Sequence, residues 1–248
     1  MSPEFALSPE QRRGVYAAIY GRRDVRHFRP DPVPPSVLAR LLDAAHHAPS
    51  VGFMQPWDFI LIADRALRAR VHELFLAERA RAAETFPEPR RSQYLAYKLE
   101  GILDAPLNVC VTCDLARGGV VLGRRSMPDT DVYSACLAIQ NFWLAARAEG
   151  VGVGWVSILC PDQLSALLGL PPTVVPVAYL CVGYPEAFAD RPLLEATGWR
   201  ERLSLDRLVH YERWGGTPTG DWAAVAAAVC ERAPFEPPRG GDCAPSPA

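Results

Sequence analysis

The chain has 248 residues, 49% hydrophobic and 22% charged, with a formal net charge of −2, a globular balance for one large or two small domains. The near-neutral total argues against a nucleic-acid partner, and the longest apolar run, VVPVAYLCVGY (174–184), is too short to span a bilayer. The start, MSPEFALSPEQRR, lacks the apolar core of a secretory leader, so a cytoplasmic protein with no membrane partner is expected.

Ser8-Pro-Glu-Gln11 fits a capping box, with Pro9 opening a helix that runs to about Arg22. The proline-rich HFRPDPVPPS (27–36) follows, and Ser36 is a candidate cap for a helix in VLARLLDAAHH. WDFILIA (57–63) reads as a buried strand, and Asp64 as the cap of a helix to about Ala83. The polar, proline-broken stretch 84–93 is a candidate lid ahead of a helix in YLAYKLEGILDA. LNVCVTCD (107–114) alternates as a strand, and a Gly-rich connector spans 116–131. VYSACLAIQNFWLAARA (132–148) is apolar almost all round, predicting a helix buried in a core or at a subunit interface, stopped by Gly150. GVGVGWVSIL (150–159) is a Gly-rich strand, PDQLSALLG a short helix and TVVPVAYLCVGYP (173–185) another buried strand. This alternation predicts a three-layer α/β/α sandwich, an α+β fold with a mixed central sheet, in one domain over 8–232. The Pro-rich remainder, 233–248, reads as a disordered tail.

The seven cysteines are an odd number and suggest no disulfide framework. Strand alternation turns Cys110 and Cys113 to opposite faces, so they read as buried thiols, and no metal site is expected.

Three groups of residues carry chemistry. Arg22, Arg23 and Arg26 can fork onto phosphate oxygens, although a short basic run is more often a solvated helix end. In APSVGFMQPW (48–57), Ser50 and Gln55 suit the edge of a heterocycle, or the loop is a structural turn with Trp57 in the core. Gly150 to Gly154 lacks the GxGxxG spacing of a dinucleotide site. A Gly-rich strand marks close approach of a backbone or a flat ligand, or tight packing on the helix at 132–148.

In combination, RRDVRHF (22–28), APSVGFMQPW and GVGVGWVSIL followed by LGLPPTVVPVAYLCVGYP resemble the FMN-dependent nitroreductase superfamily over roughly residues 10–215. Asp24, where the superfamily pattern has Ser, and the loop VGFMQPW depart from its usual form. With KLEGI (98–102) and GWRERLSLDRLVHYERWG (198–215) they resemble its 5,6-dimethylbenzimidazole-forming branch.

The resemblance implies a homodimer with FMN at the interface. FMN would be held by Arg22, Arg23, Asp24, Val25 and Arg26 at its phosphate and ribityl end. Ser50, Met54, Gln55, the backbone at Leu99, Gly154, Trp155 and Ser157 would contact the rest. It further implies that reduced FMN (FMNH2) is the substrate and O2 the co-substrate, with NAD(P)H acting only through a separate flavin reductase. Asp24 and Ser157 are then the candidate catalytic residues. The blander role for Asp24 is a salt bridge to its arginines, which predicts a depressed pKa; for Ser157 it is a buried strand hydroxyl. A conventional NAD(P)H-dependent nitro or quinone reductase and a non-catalytic flavin carrier are the alternatives.

Overall fold

The computed structural model describes residues 4–231; the expected tail at 233–248 lies outside them. Two compact units divide the chain, Met1–Phe188 and Ala189–Ala248.

The first unit holds α1 (Pro9–Gly21), α2 (Pro35–His46), β1 (Trp57–Ile62), α3 (Arg65–Glu84), α4 (Arg90–Ala96), β2 (Leu107–Asp114), α5 (Thr130–Ala148), β3 (Gly152–Val156), α6 (Pro161–Leu168) and β4 (Val174–Gly183). The capping box forms: Ser8 N donates to Gln11 Oε1 at 2.9 Å and Gln11 N to Ser8 Oγ at 3.3 Å. Asp64 Oδ1 accepts from Leu67 N at 2.6 Å and starts α3. Ser36 does not cap α2. The helix begins one residue earlier, at Pro35, which needs no N–H partner there. Gly150, at φ +72°, ends α5.

The strands lie in the order β1-β2-β4-β3, every pair antiparallel. The expected mixed sheet is therefore corrected; among the described residues its one parallel element is an isolated bridge between Asp24 and Val153. The connections explain this. The eight residues of α6 extend only about 12 Å, too short to return the chain to the start of a parallel neighbour. Between β1 and β2, α3 runs out and the stretch through α4 comes back. Pro176 sits within β4 where the β2 register slips between Val111 and Thr112, which accommodates a residue without an N–H.

Alternation along β2 and β4 divides the core into two layers. Val109, Val111, Cys113, Ala178, Leu180 and Val182 pack on α2 and α5. Cys110, Tyr179 and Cys181 pack on the other face with Val71 and Phe75 of α3 and Leu164 of α6. The three-layer sandwich follows, and Cys110 and Cys113 do face opposite layers as free thiols. Burial pushes both up to about 12, which makes them inert packing groups.

Three expectations change. β1 is an edge strand with Asp58 and Leu61 exposed, not a strand buried on both faces. The helix expected in 94–105 ends at Ala96: a Cβ on Gly101 would lie 2.6 Å from Phe28, and the chain there is pinned in irregular form. α5 buries Ala135, Ala138, Ile139, Phe142 and Trp143, yet leaves Tyr133 52% and Leu137 46% exposed.

The second unit contains the short α7 (Leu193–Ala196) and α8 (Trp222–Glu231), with Trp222 Nε1 donating to Glu212 at 2.5 Å and His210 packed on Trp214. Among the described residues no helix is long and apolar enough to cross a membrane.

Candidate functional site

α1 ends at Gly21, and the chain turns extended at Arg22 to run beside β3. Val25 N donates to Val153 O at 3.0 Å. This approach is so close that a Cβ on Gly154 would lie 2.1 Å from Val25 O, and one on Gly152 would lie 2.9 Å from the Val25 side chain. The glycines of β3 thus admit a neighbouring backbone. Packing on the helix at 132–148 is not what they serve.

The register fixes Asp24. Its Oδ1 accepts the Trp155 N–H at 2.8 Å and its Oδ2 pairs with Arg26 Nη2. The salt bridge forms, but its expected consequence does not. Burial pushes the carboxyl up from its ordinary value, outweighing the lowering by Arg26, the Trp155 N–H and Arg22. A third of the side-chain surface is still open, so the carboxyl is both shielded and reachable.

Around it, Arg22 lies over the Trp143 ring at 4.6 Å and Arg23 donates to Tyr20 O and Arg22 O at 2.7 Å. Arg26 Nη1 donates to Asp24 O at 3.2 Å, while its Nε is buried with no hydrogen-bond partner among the described residues. An orphaned guanidinium N–H beside two more arginines fits a phosphate group. Trp143 tilts against Trp155, ring centroids 6.4 Å apart. Ser157 lies just past the end of β3 and is exposed, not a buried strand hydroxyl. With Trp155, Pro161, Leu164, Val177 and Tyr179 it lines a cleft of about 200 Å³.

The loop ahead of β1 is the second cluster. Gly52, Phe53 and Gln55 all have positive φ, 53°, 54° and 48°. Such backbone persists only where surrounding contacts impose it. Ser50 Oγ accepts Gln55 N at 3.0 Å, Ser134 Oγ of α5 accepts Val51 N at 3.1 Å, and the Gln55 amide donates to Phe53 O. Trp57 is buried and its Nε1 donates to His46 at 3.3 Å.

The Gly-rich connector folds onto this loop. Arg117 donates to Gln55 O at 2.8 Å, to Trp57 O at 3.0 Å and to both Asp58 carboxylate oxygens. Arg124 reaches Met54 Sδ and Arg117 O and pairs with Asp131, 2% exposed. Gln55, Met54, His46, Trp57, Asp58 and Arg117 border a cleft of about 600 Å³, an ordinary ligand-site size. Sequence reasoning missed Arg117 and Arg124; the Gly118-Gly119 pair, both at positive φ, was the one signal that the connector bends back.

Leu99 packs partly buried against the second core layer, in the irregular stretch after α4. Arg22 to Arg26, Gly154, Trp155 and Ser157 are therefore gathered at the β3 edge, and Ser50, Met54 and Gln55 at the β1 edge. Two strands intervene, a separation of about 14 Å. α5 spans the same interval, meeting the loop through Ser134 and the arginines through Trp143. Among the described residues no three His, Cys, Asp or Glu side chains converge as a metal site.

Residues 19–184 match the Nitroreductase family. A 5,6-dimethylbenzimidazole synthase of Rhodospirillum rubrum is 46% identical over 197 residues, 79% of this chain and 93% of the relative. Among solved structures, a BluB-like flavoprotein from Clostridium difficile superposes with a TM-score of 0.62 at 18% identity, over 80% of this chain and 99% of that one. Iodotyrosine deiodinase bound to FMN and 3-iodo-L-tyrosine gives 0.61 at 21% identity, over 71% and 91%. The structural likenesses speak for the fold and the sequence matches for the lineage: the chain belongs to the nitroreductase family.

Proposed function

We propose that this chain catalyses the oxygen-dependent fragmentation of reduced FMN to 5,6-dimethylbenzimidazole and erythrose 4-phosphate, supplying the lower ligand of cobalamin. The observation that carries the reading is Asp24, a shielded carboxyl fixed between Arg26 and the Trp155 N–H where the wider superfamily has Ser. The likeness to the Rhodospirillum rubrum synthase supports the same assignment. When bound, reduced FMN supplies the electrons that activate oxygen and the carbon skeleton of the product.

The chain's own residues bind, orient and move protons. Arg26 can meet the phosphate through Nε while Nη2 keeps Asp24, and Arg22 and Arg23 add charge. Asp24 Oδ2 is the atom on which a proton from the ribityl chain would rest, its raised pKa bringing it nearer a working pH. The exposed Ser157 hydroxyl would orient a ribityl hydroxyl. Val25 and Gly154 set the Asp24 register. Ser50, Met54, Gln55 and the backbone at Leu99 would address the ring.

A flavin touching both clusters needs two copies of the chain, because the sheet and α5 fill the space between the edges of one. α1 buries no residue and exposes Val15, Tyr16 and Ile19, and α5 exposes Tyr133 and Leu137, apolar surface a homodimer would cover. An outside flavin reductase using NAD(P)H would deliver the substrate in the cytoplasm, and 8–232 would act as one functional domain.

Asp24→Asn tests the assignment. Turnover of reduced FMN to benzimidazole should fall about a hundredfold, the scale of a lost general acid–base, with FMN affinity within about threefold. Turnover at the parent rate would remove Asp24 from the chemistry. Recovery of intact FMN through repeated cycles with NAD(P)H would favour the conventional reductase instead.

A further inference from the structure

The irregular stretch 97–105 closes part of its backbone on itself, Ala105 N donating to Gly101 O at 2.9 Å, and three of its carbonyls, those of Tyr97, Ile102 and Ala105, are taken by one face of α3. Arg68, His72 and Arg79 stand four and seven residues apart in turn, within about 40° of one another around the helix. Arg79 Nη2 donates to Leu95 O at 2.6 Å and to Tyr97 O at 2.9 Å. Arg68, buried at 6% exposure, donates to Ala105 O and more distantly to Ile102 O at 3.5 Å. Between them His72 Nε2 faces Glu100 Oε1 at 3.6 Å, and Glu100 Oε2 accepts Ile102 N at 2.5 Å. Asn108 of β2 closes the far end, donating to Ile102 O at 3.0 Å.

A buried arginine given only carbonyls to bond is a costly packing choice. It fixes two carbonyls at set distances from a rigid helix, which an apolar side chain cannot do. Leu99 lies between the Arg79 contact at Tyr97 and the Glu100–His72 contact. Its own backbone is held by neighbours on both sides.

We infer that Arg68, His72 and Arg79 are positioning residues, which through Glu100 and the carbonyls of 95–105 set the Leu99 backbone where the flavin lies against it. The inference rests on the proposed flavin site. Flavin affinity would then depend on α3 side chains that touch no flavin atom.

His72→Leu and Arg79→Met test this with two readouts. In the flavin-free protein, amide hydrogen exchange over 97–105 should rise about tenfold, with β2 and β4 unchanged. The FMN dissociation constant, by quenching of flavin fluorescence, should also rise about tenfold, with kcat at saturating reduced FMN within about twofold, as for loss of uniform binding. His72→Gln, whose amide keeps a polar group facing Glu100, should keep parent affinity within about twofold. Faster exchange with unchanged FMN affinity would leave the clamp a purely structural device and overturn the inference alone, as would unchanged exchange. A parent that takes up no FMN would overturn it through the flavin reading on which it rests.

Discussion

The arginine segment beside β3 and the Ser50–Gln55 loop ahead of β1 hold their polar groups by different means. At β3 the backbone does the holding: Val25 takes a strand hydrogen bond, and glycines leave room for it. Asp24 then needs only one N–H and one guanidinium to be fixed. At β1 the backbone is left-handed at three residues, and side chains from elsewhere hold it: Ser134 from α5, Arg117 and Arg124 from the connector. Strand pairing at one edge makes a fixed anchor, and side-chain struts at the other make an adjustable cover.

The largest effect should come from removing a strut. Arg124→Met leaves Asp131 buried without its cation and should cost about 3 kcal/mol in denaturant unfolding. Pairing it with Asp131→Leu should return most of that loss; no recovery would mean the ion pair is not what holds the connector.

Next comes a direct comparison of the two edges. Gly154→Ala drives a Cβ against the Val25 carbonyl and should cost about 2–3 kcal/mol, since backbone cannot step aside. Gly52→Ala meets Val121 of the connector, a loop that can shift where a paired strand cannot, and adds left-handed strain, for about 1–2 kcal/mol. Equal losses would erase the distinction between anchor and cover.

A smaller, pH-dependent effect belongs to Asp24. Its folded-state pKa is raised above the ordinary 3.8, so it binds its proton more tightly folded than unfolded. The stability this contributes is complete below 3.8 and is lost as pH rises through the raised value. The stability of the parent minus that of Asp24→Asn should therefore fall with rising pH across that window. A difference that climbs instead would mean that Arg26 outweighs burial. Smallest of all, Ser157→Ala should shift stability by no more than about 0.5 kcal/mol, as an exposed residue beyond a strand end. Any large loss of turnover would then be chemical.

Much of the frame was legible because it rests on local rules. Ser8, Asp64 and Gly150 mark helix ends by their own hydrogen bonds and φ, and alternation alone placed Cys110 and Cys113 on opposite layers. What escaped depends on distant partners. No local signal tells that 97–105 is pinned by Arg68 and Arg79, or that Arg117 and Arg124 return to the Ser50 loop. The depressed pKa that the salt-bridge alternative predicts for Asp24 fails for the same reason: the arginines are adjacent in sequence, whereas the burial that outweighs them comes from the fold. The sheet's sense failed because helix–strand alternation counts elements and not the reach of each connection.

The proposed reaction consumes reduced FMN as a substrate. The most direct measurement loads the protein with reduced FMN without oxygen, admits air, and follows both FMN and 5,6-dimethylbenzimidazole by mass spectrometry. Benzimidazole should appear as FMN disappears, mole for mole. Reoxidised FMN recovered whole, with no benzimidazole, would contradict it.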